Sequence, residues 1–240
     1  MAERFRRVVG IHRIQLRMGQ DVLVSIDPQL KKQCPTLQVA CVRGTVTVSK
    51  SPDALLKLLN ARAEQVSGSF TSQDIASNSE ITATGEAYRR LGKDPSRYRG
   101  SAEALFRRLG SGKALYFINN LVDVNNLISL ESFLPVGSYD LAKITNPILF
   151  RIGRAGESYK GIGKDLINIV DLPVFADRSG PFGSPTSDSE RAMITLATTN
   201  FTMMIISFAG TADLTVWAGR GIELLSNHAS GGNLSFEIIQ

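Results

Sequence analysis

The sequence predicts a mixed α/β or α+β domain in which helices flank a central β-sheet. Three observations lead there. Apolar runs of strand length occur at 148–152, 169–175 and 203–208, each rich in residues that suit a buried, pleated ladder. Helix-opening and helix-closing residues punctuate the first half of the chain and recur near its end. With 43% hydrophobic residues among 240, there is enough apolar surface for a large core, as one big domain or two small ones.

In chain order, residues 1–30 read as a basic N-terminal extension and 31–240 as the folded domain. Residues 37–42 suit a strand. Ser51-Pro-Asp then opens a helix: Ser51 as cap, Pro52 at the first helical position, Asp53 against the helix dipole. Leu55, Leu56, Leu58 and Leu59 give that helix its buried side. Residues 67–84 are polar and lack periodicity, which predicts a surface loop. A short helix over 86–91 stops at Gly92, and another begins at Ser101 and stops near Gly110. The three apolar runs follow as strands. Thr211 is suited to cap a helix through 227, and Ser230-Gly-Gly turns the chain into a last strand over 234–239.

Several chemistries are excluded. No apolar run approaches the roughly 20 residues that span a bilayer, and charges scattered over residues 1–19 leave no signal-peptide core, so a cytoplasmic protein without membrane partners is expected. Cys34 and Cys41 lack metal-ligand spacing and read as buried free thiols. His12 and His228 stand alone, so no histidine-based metal site or catalytic triad assembles, and no metal or cofactor is expected. Gly153-Arg-Ala-Gly156 and Gly161-Ile-Gly-Lys164 lack phosphate-loop spacing and suit turns between strands. Ser184 has no histidine partner and no nucleophile-elbow motif.

Charge is concentrated. Between Arg89 and Lys113 there are eight basic residues against two acidic, a local balance of +6 where the whole chain carries +5. Arg89, Arg90, Lys93, Arg97, Arg99, Arg107 and Arg108 are candidate RNA-binding residues, with Tyr88, Tyr98 and Phe106 interleaved as they would be on a surface that meets phosphates and bases. A solvated pair of helix faces is the competing reading, and Arg99 and Arg107 also lie at pairing distance in sequence from Glu103.

Four blocks in fixed order then carry a resemblance: YRRLG from Tyr88 with Pro95, SAEALFRR from Ser101, INNLVDVNN from Ile118, and LPVGSYD from Leu134. In order and spacing, over about residues 34–208, they resemble the B3/B4 domain of the phenylalanyl-tRNA synthetase β subunit, here as a free-standing protein. The resemblance implies a B3/B4-like fold and an editing module, which hydrolyses the ester of an amino acid wrongly attached to the 3′ end of tRNA. Asn126 matches the second residue of that family's Thr-Asn pair, while Asn125 departs from it and keeps polarity. A larger departure is Gly137, where the family's Leu-His-Ala-Phe-Asp motif has histidine three residues before the aspartate matched by Asp140.

Ester hydrolysis needs a positioned water, donors for the developing oxyanion and partners for the amino acid's ammonium group, and asparagine offers donors and acceptors without fixed charge. The catalytic candidates are Asn126, Asp188 and Glu190; those expected to touch substrate are Asn120, Asn125, Gly137 and Ser184. Asn119 and Asp123 suit the plainer task of satisfying backbone groups and holding the turn. With no ring at Gly137, the pocket is expected to be roomier. The leading expectation is a trans-acting editing hydrolase whose partner is the aminoacylated 3′ end of tRNA. The alternatives are a tRNA- or RNA-binding module without catalysis, favoured by Gly137, and an amino-acid-binding protein that has lost tRNA, disfavoured by the basic segment.

Overall fold

The computed structural model describes residues 22–240. His12 and most of the expected basic extension lie outside these residues. The boundary expected at residue 30 falls earlier, because β1 (Val24–Ile26) pairs in parallel with β4 (Ile148–Ile152), and Leu30 of α1 (Pro28–Gln33) is fully buried.

The mixed α and β architecture is present, with two four-stranded sheets in place of one central sheet. The first is wholly antiparallel, in the order β10 (Gly232–Ile239), β2 (Gln38–Thr45), β9 (Asn200–Ser207), β3 (Val136–Asp140). The second runs β1, β4, β7 (Pro173–Asp177), β8 (Gly180–Gly183). A small hairpin, β5 (Ser158–Lys160) with β6 (Leu166–Asn168), stands apart.

The antiparallel sheet is covered on both faces, as the near-continuous apolar run of β9 requires. On one side α2 (Asp53–Ser69), α5 (Ser101–Gly110), α6 (Asn120–Ser132) and α7 (Leu214–His228) bury a core with Ala40, Val42, Met203 and Ile205. On the other, Val39, Cys41, Met204 and Ile206 meet Phe150, Phe175 and Phe182 of the second sheet together with Leu30 and Ala87. Side chains alternate along β3 accordingly. Val136 packs with the helices, Ser138 reaches Asn125 on α6, and Tyr139 belongs to the inter-sheet core.

Four local expectations are corrected. Residues 67–84 are largely helical: α2 ends at Ser69, α3 spans Ser72–Ser77 and α4 spans Ser79–Arg90. A capping box at Thr71 and Asp74 starts α3, six residues long and too short to show a period, and an N-cap at Asn78 starts α4, whose buried face of Ile81, Thr84, Ala87 and Tyr88 mixes apolar with small and polar residues. Ser51 does not cap α2; its hydroxyl donates to Asp123, and Pro52 holds the cap position. Thr211 donates to Glu80 while Asp213 caps α7. The strand expected over 169–175 begins only at Pro173, since Leu172 N–H closes a turn onto the Ile169 carbonyl at 3.1 Å.

Candidate functional site

The loop after β8, residues 184–189, is the polar centre of the inter-sheet side. Ser184 shapes it from within: its Oγ donates to the Ser187 carbonyl at 2.8 Å and accepts from Ser187 N–H at 3.1 Å. Three tyrosines pin it from outside. Tyr139 Oη donates to Asp188 Oδ1 at 2.8 Å, Tyr159 Oη donates to the Ser187 carbonyl, and Tyr88 Oη lies 2.6 Å from Thr186 Oγ1. Lys164 Nζ donates to Ser187 Oγ at 2.8 Å, and the Pro185 carbonyl accepts from Ser101 N–H at the start of α5.

Asp188 is the ionisable group of this loop. Burial pushes its carboxyl up to about 6, against the opposing pull of the Tyr139 hydroxyl, Ser184 N–H and the Lys164 charge. The apolar wall is aromatic: Phe182 meets the Tyr139 ring edge-on at 4.9 Å, with Phe175 beyond at 6.0 Å. Burial, followed by the Asp188 charge, holds the Tyr139 phenol far above its ordinary value, so it stays protonated and donates. Asp188 Oδ1 thus accepts from Tyr139 and from Ser184 N–H, while Oδ2 has no hydrogen-bond partner among the described residues. A half-buried carboxylate with one oxygen tied down and the other free can take a proton from water or bind an ammonium group.

Gly137 faces this carboxylate. A Cβ at Gly137 would stand 2.7 Å from Tyr139 Oη and 3.4 Å from Asp188 Oδ2. A Cβ at Gly183 would likewise run into Tyr139 Oη and its ring. The roomier pocket expected at residue 137 is therefore absent: two glycines make space for one tyrosine, and its hydroxyl fills the space beside Gly137. Sequence reading missed Tyr139 and Tyr159, and counted Tyr88 and Phe106 among surface aromatics. Tyr88 and Phe106 are fully buried.

The remaining candidates do not converge on Asp188. Asn125 accepts from Ser138 Oγ at 2.8 Å on the helix side of β3, opposite to the face of Gly137 and Tyr139. Asn126 is half-buried on α6 and makes no side-chain hydrogen bond among the described residues. Asn120, expected at the substrate, is instead committed to structure. Its Nδ2 donates to the carbonyls of Thr47 at 2.9 Å and His228 at 3.1 Å, and its Oδ1 accepts from Ser49 N–H. Asn119 caps α6 through Val122 N–H, and Asp123 accepts from Ser51 Oγ and Ile118 N–H. Glu190 pairs with Lys160 at 3.0 Å on the rim. A shallow surface depression beside α5 is lined by Ile81, Thr84, Gly100, Glu103, Phe133 and Pro135 and includes none of the expected residues.

The basic segment spans the end of α4, the 91–100 connection and the end of α5. Glu103 holds Arg107 at 2.6 Å and Arg99 at 3.6 Å, and Glu86 holds Arg90 at 3.6 Å. Arg108 Nε donates to the Ala114 carbonyl, and Lys93 sits 5.0 Å from the Tyr98 ring centroid. Arg89, Arg97 and Lys113 are exposed without an ion-pair partner among the described residues. No described helix is long and apolar enough to cross a membrane, and no described group of three or more His, Cys, Asp or Glu is arranged to hold a metal ion.

Comparison with known proteins places these features. The chain is 41% identical over 68 residues to the phenylalanine–tRNA ligase beta subunit of Carboxydothermus hydrogenoformans, a match spanning 27% of this chain and 8% of that one. The crystal structure of an N-terminal fragment of the phenylalanyl-tRNA synthetase beta-subunit from Pyrococcus horikoshii aligns with a TM-score of 0.48 at 14% identity, covering 93% of this chain and 52% of that one. The chain thus spans less than two thirds of the length of either protein. Residues 83–215, from within α4 to the start of α7, match the B3/4 domain. That stretch is more than half of the chain and contains Gly137, Tyr139, the 184–189 loop and the whole basic segment, and the protein belongs to the B3/4 domain family.

Proposed function

We propose that this protein acts on the acylated 3′ end of a transfer RNA and hydrolyses, in trans, the ester of a wrongly attached amino acid. One observation carries the reading: Asp188, with its carboxyl at about 6 and Oδ2 free, stands opposite Gly137, in the slot where the resemblance puts the family's histidine. At pH 7 such a group is mostly ionised. Its free oxygen takes a proton from water as that water attacks the ester carbonyl, the acyl–oxygen bond breaks, and the ribose hydroxyl leaves with the proton returned. Tyr139 and Ser184 N–H fix the other oxygen, so the carboxylate does not have to be reoriented during the step. Arg89, Arg97 and Lys113, exposed and without an ion-pair partner among the described residues, supply phosphate contacts on the same molecule. The membership in the B3/4 domain family and the likeness to the beta subunit of a tRNA ligase support the choice of tRNA as partner.

A second reading, binding of the charged 3′ end without hydrolysis, is favoured by the filled space beside Gly137 and by the separation of Asn125 from Asp188 across β3. A deacylation screen against a panel of correctly and wrongly charged tRNAs divides the two. Selective clearance of a mischarged tRNA supports hydrolysis; bound tRNA whose ester outlasts that of free tRNA supports binding alone.

A further inference from the structure

The connection between α5 and α6 displays three consecutive apolar side chains to solvent. Tyr116 is 65% exposed, Phe117 47% and Ile118 62%. This strap is fastened rather than loose. Leu115 is buried beneath it, Arg108 Nε donates to the Ala114 carbonyl at 2.6 Å, and Ile118 N–H donates to Asp123 Oδ1 at 3.0 Å. The Arg108 guanidinium carbon lies 3.7 Å from the Tyr116 ring centroid, a stacked cation–π arrangement that fixes one ring face and leaves the other to solvent.

We propose that Tyr116 and Phe117 form a stacking platform for unpaired bases of single-stranded RNA. Charge selects this occupant. Exposed Lys113 lies at one end of the strap, and exposed Lys50 follows Ser49, whose carbonyl accepts from Asn120 N–H at the other. The carboxylate that meets the strap, Asp123, is buried and turned inward to Ser51 and Ile118. Aromatic faces framed by cations suit a polyanion with stacking bases, and every base has a face to offer. The strap is also separate from the Asp188 loop. That loop holds the first residue of α5 through Pro185, whereas the strap follows its last, ~15 Å away at 1.5 Å per helical residue. The inference rests on the proposed function for the choice of RNA as ligand and shares Lys113 with its phosphate contacts.

The test is fluorescence anisotropy of a labelled, unstructured 12-nucleotide RNA with the full-length protein. Tyr116→Ala combined with Phe117→Ala is expected to weaken binding about tenfold or more, with an unchanged thermal melt because both side chains are exposed. Lys50→Glu with Lys113→Glu is expected to lower the slope of log affinity against log salt by about 1.4, two phosphate contacts' worth on a single strand. Absence of oligonucleotide binding by the wild type, or equal affinity in the Tyr116/Phe117 double variant, overturns the inference. So does wild-type self-association that the same variant abolishes while oligonucleotide affinity stays constant. Deacylation of charged tRNA, measured on the same samples, judges the Asp188 reading separately.

Discussion

Adding one methyl group at Gly137 tests whether Tyr139 occupies the space beside it. The added Cβ would meet Tyr139 Oη at 2.7 Å and Cζ at 3.2 Å. The ring cannot withdraw freely: it is 1% exposed, backed by Gly183 and Phe182, and tied to Asp188 at 2.8 Å. Gly137→Ala should therefore cost about 1–3 kcal/mol of stability, the usual penalty for overpacking a closed site. Tyr139→Phe deletes the clashing oxygen and costs about 1.5–3 kcal/mol for the lost hydrogen bond to a charged group. In that background the nearest atom is Cζ at 3.2 Å, which a small shift accommodates, so the second methyl costs much less. The two substitutions should couple favourably by about 1–2 kcal/mol, and the entropy a glycine loses in the unfolded chain cancels in the cycle. Urea unfolding of the four proteins, followed by the fluorescence of the single Trp217, measures the coupling. Additivity within about 0.5 kcal/mol would refute the packing account of residue 137.

Two further outcomes follow from the same geometry. The Asp188 carboxyl rises on folding to about 6, so the folded chain binds more protons than the unfolded one between pH 4 and 6, and stability falls as pH rises through that window. Asp188→Asn keeps an acceptor for Tyr139 and Ser184 N–H and should remove this fall, worth about 2–3 kcal/mol; identical stability–pH curves for both proteins would contradict the raised carboxyl. Replacing the exposed Arg89, Arg97 and Lys113 with Glu should weaken tRNA binding and flatten its salt dependence by about two to three in log–log slope, while unchanged filter-binding curves would remove the basic segment from the interface.

The parts of the fold legible in the sequence are those whose residues serve a single purpose. The strand Ile148–Ile152 and the helix Ser101–Gly110 appear at their expected bounds, because unbroken apolar runs and terminal signals answer to local rules. Strand β3 was hidden because its residues, VGSYD, are chosen for three destinations: Ser138 for Asn125, Tyr139 for Asp188, and Asp140 for Ala142 N–H and Thr198. Strands of three residues, such as β1 and β5, are too short for alternation to register. At the site, Asp188 is a candidate on chemical need alone, but its partner is 49 residues away in sequence, and no local pattern announces a tyrosine that returns across a sheet edge. The four asparagines at 119–126 divide into a helix cap at Asn119, a three-way brace at Asn120, a strand contact at Asn125 and Asn126, which makes no side-chain hydrogen bond among the described residues. Residue type alone could not apportion those tasks, since one amide serves each of them equally well.

Under the proposed function, Asp188 handles the acyl ester of a charged tRNA. Single-turnover deacylation of the tRNA that the wild type clears fastest in the panel, repeated with Asp188→Asn, decides whether it does. The wild-type rate should rise with pH through about 6 and level off above it, and the variant should be slower by on the order of a hundredfold with near-wild-type tRNA affinity. Clearance by Asp188→Asn at the wild-type rate, or no clearance of any charged tRNA by the wild type, would contradict the hydrolytic account.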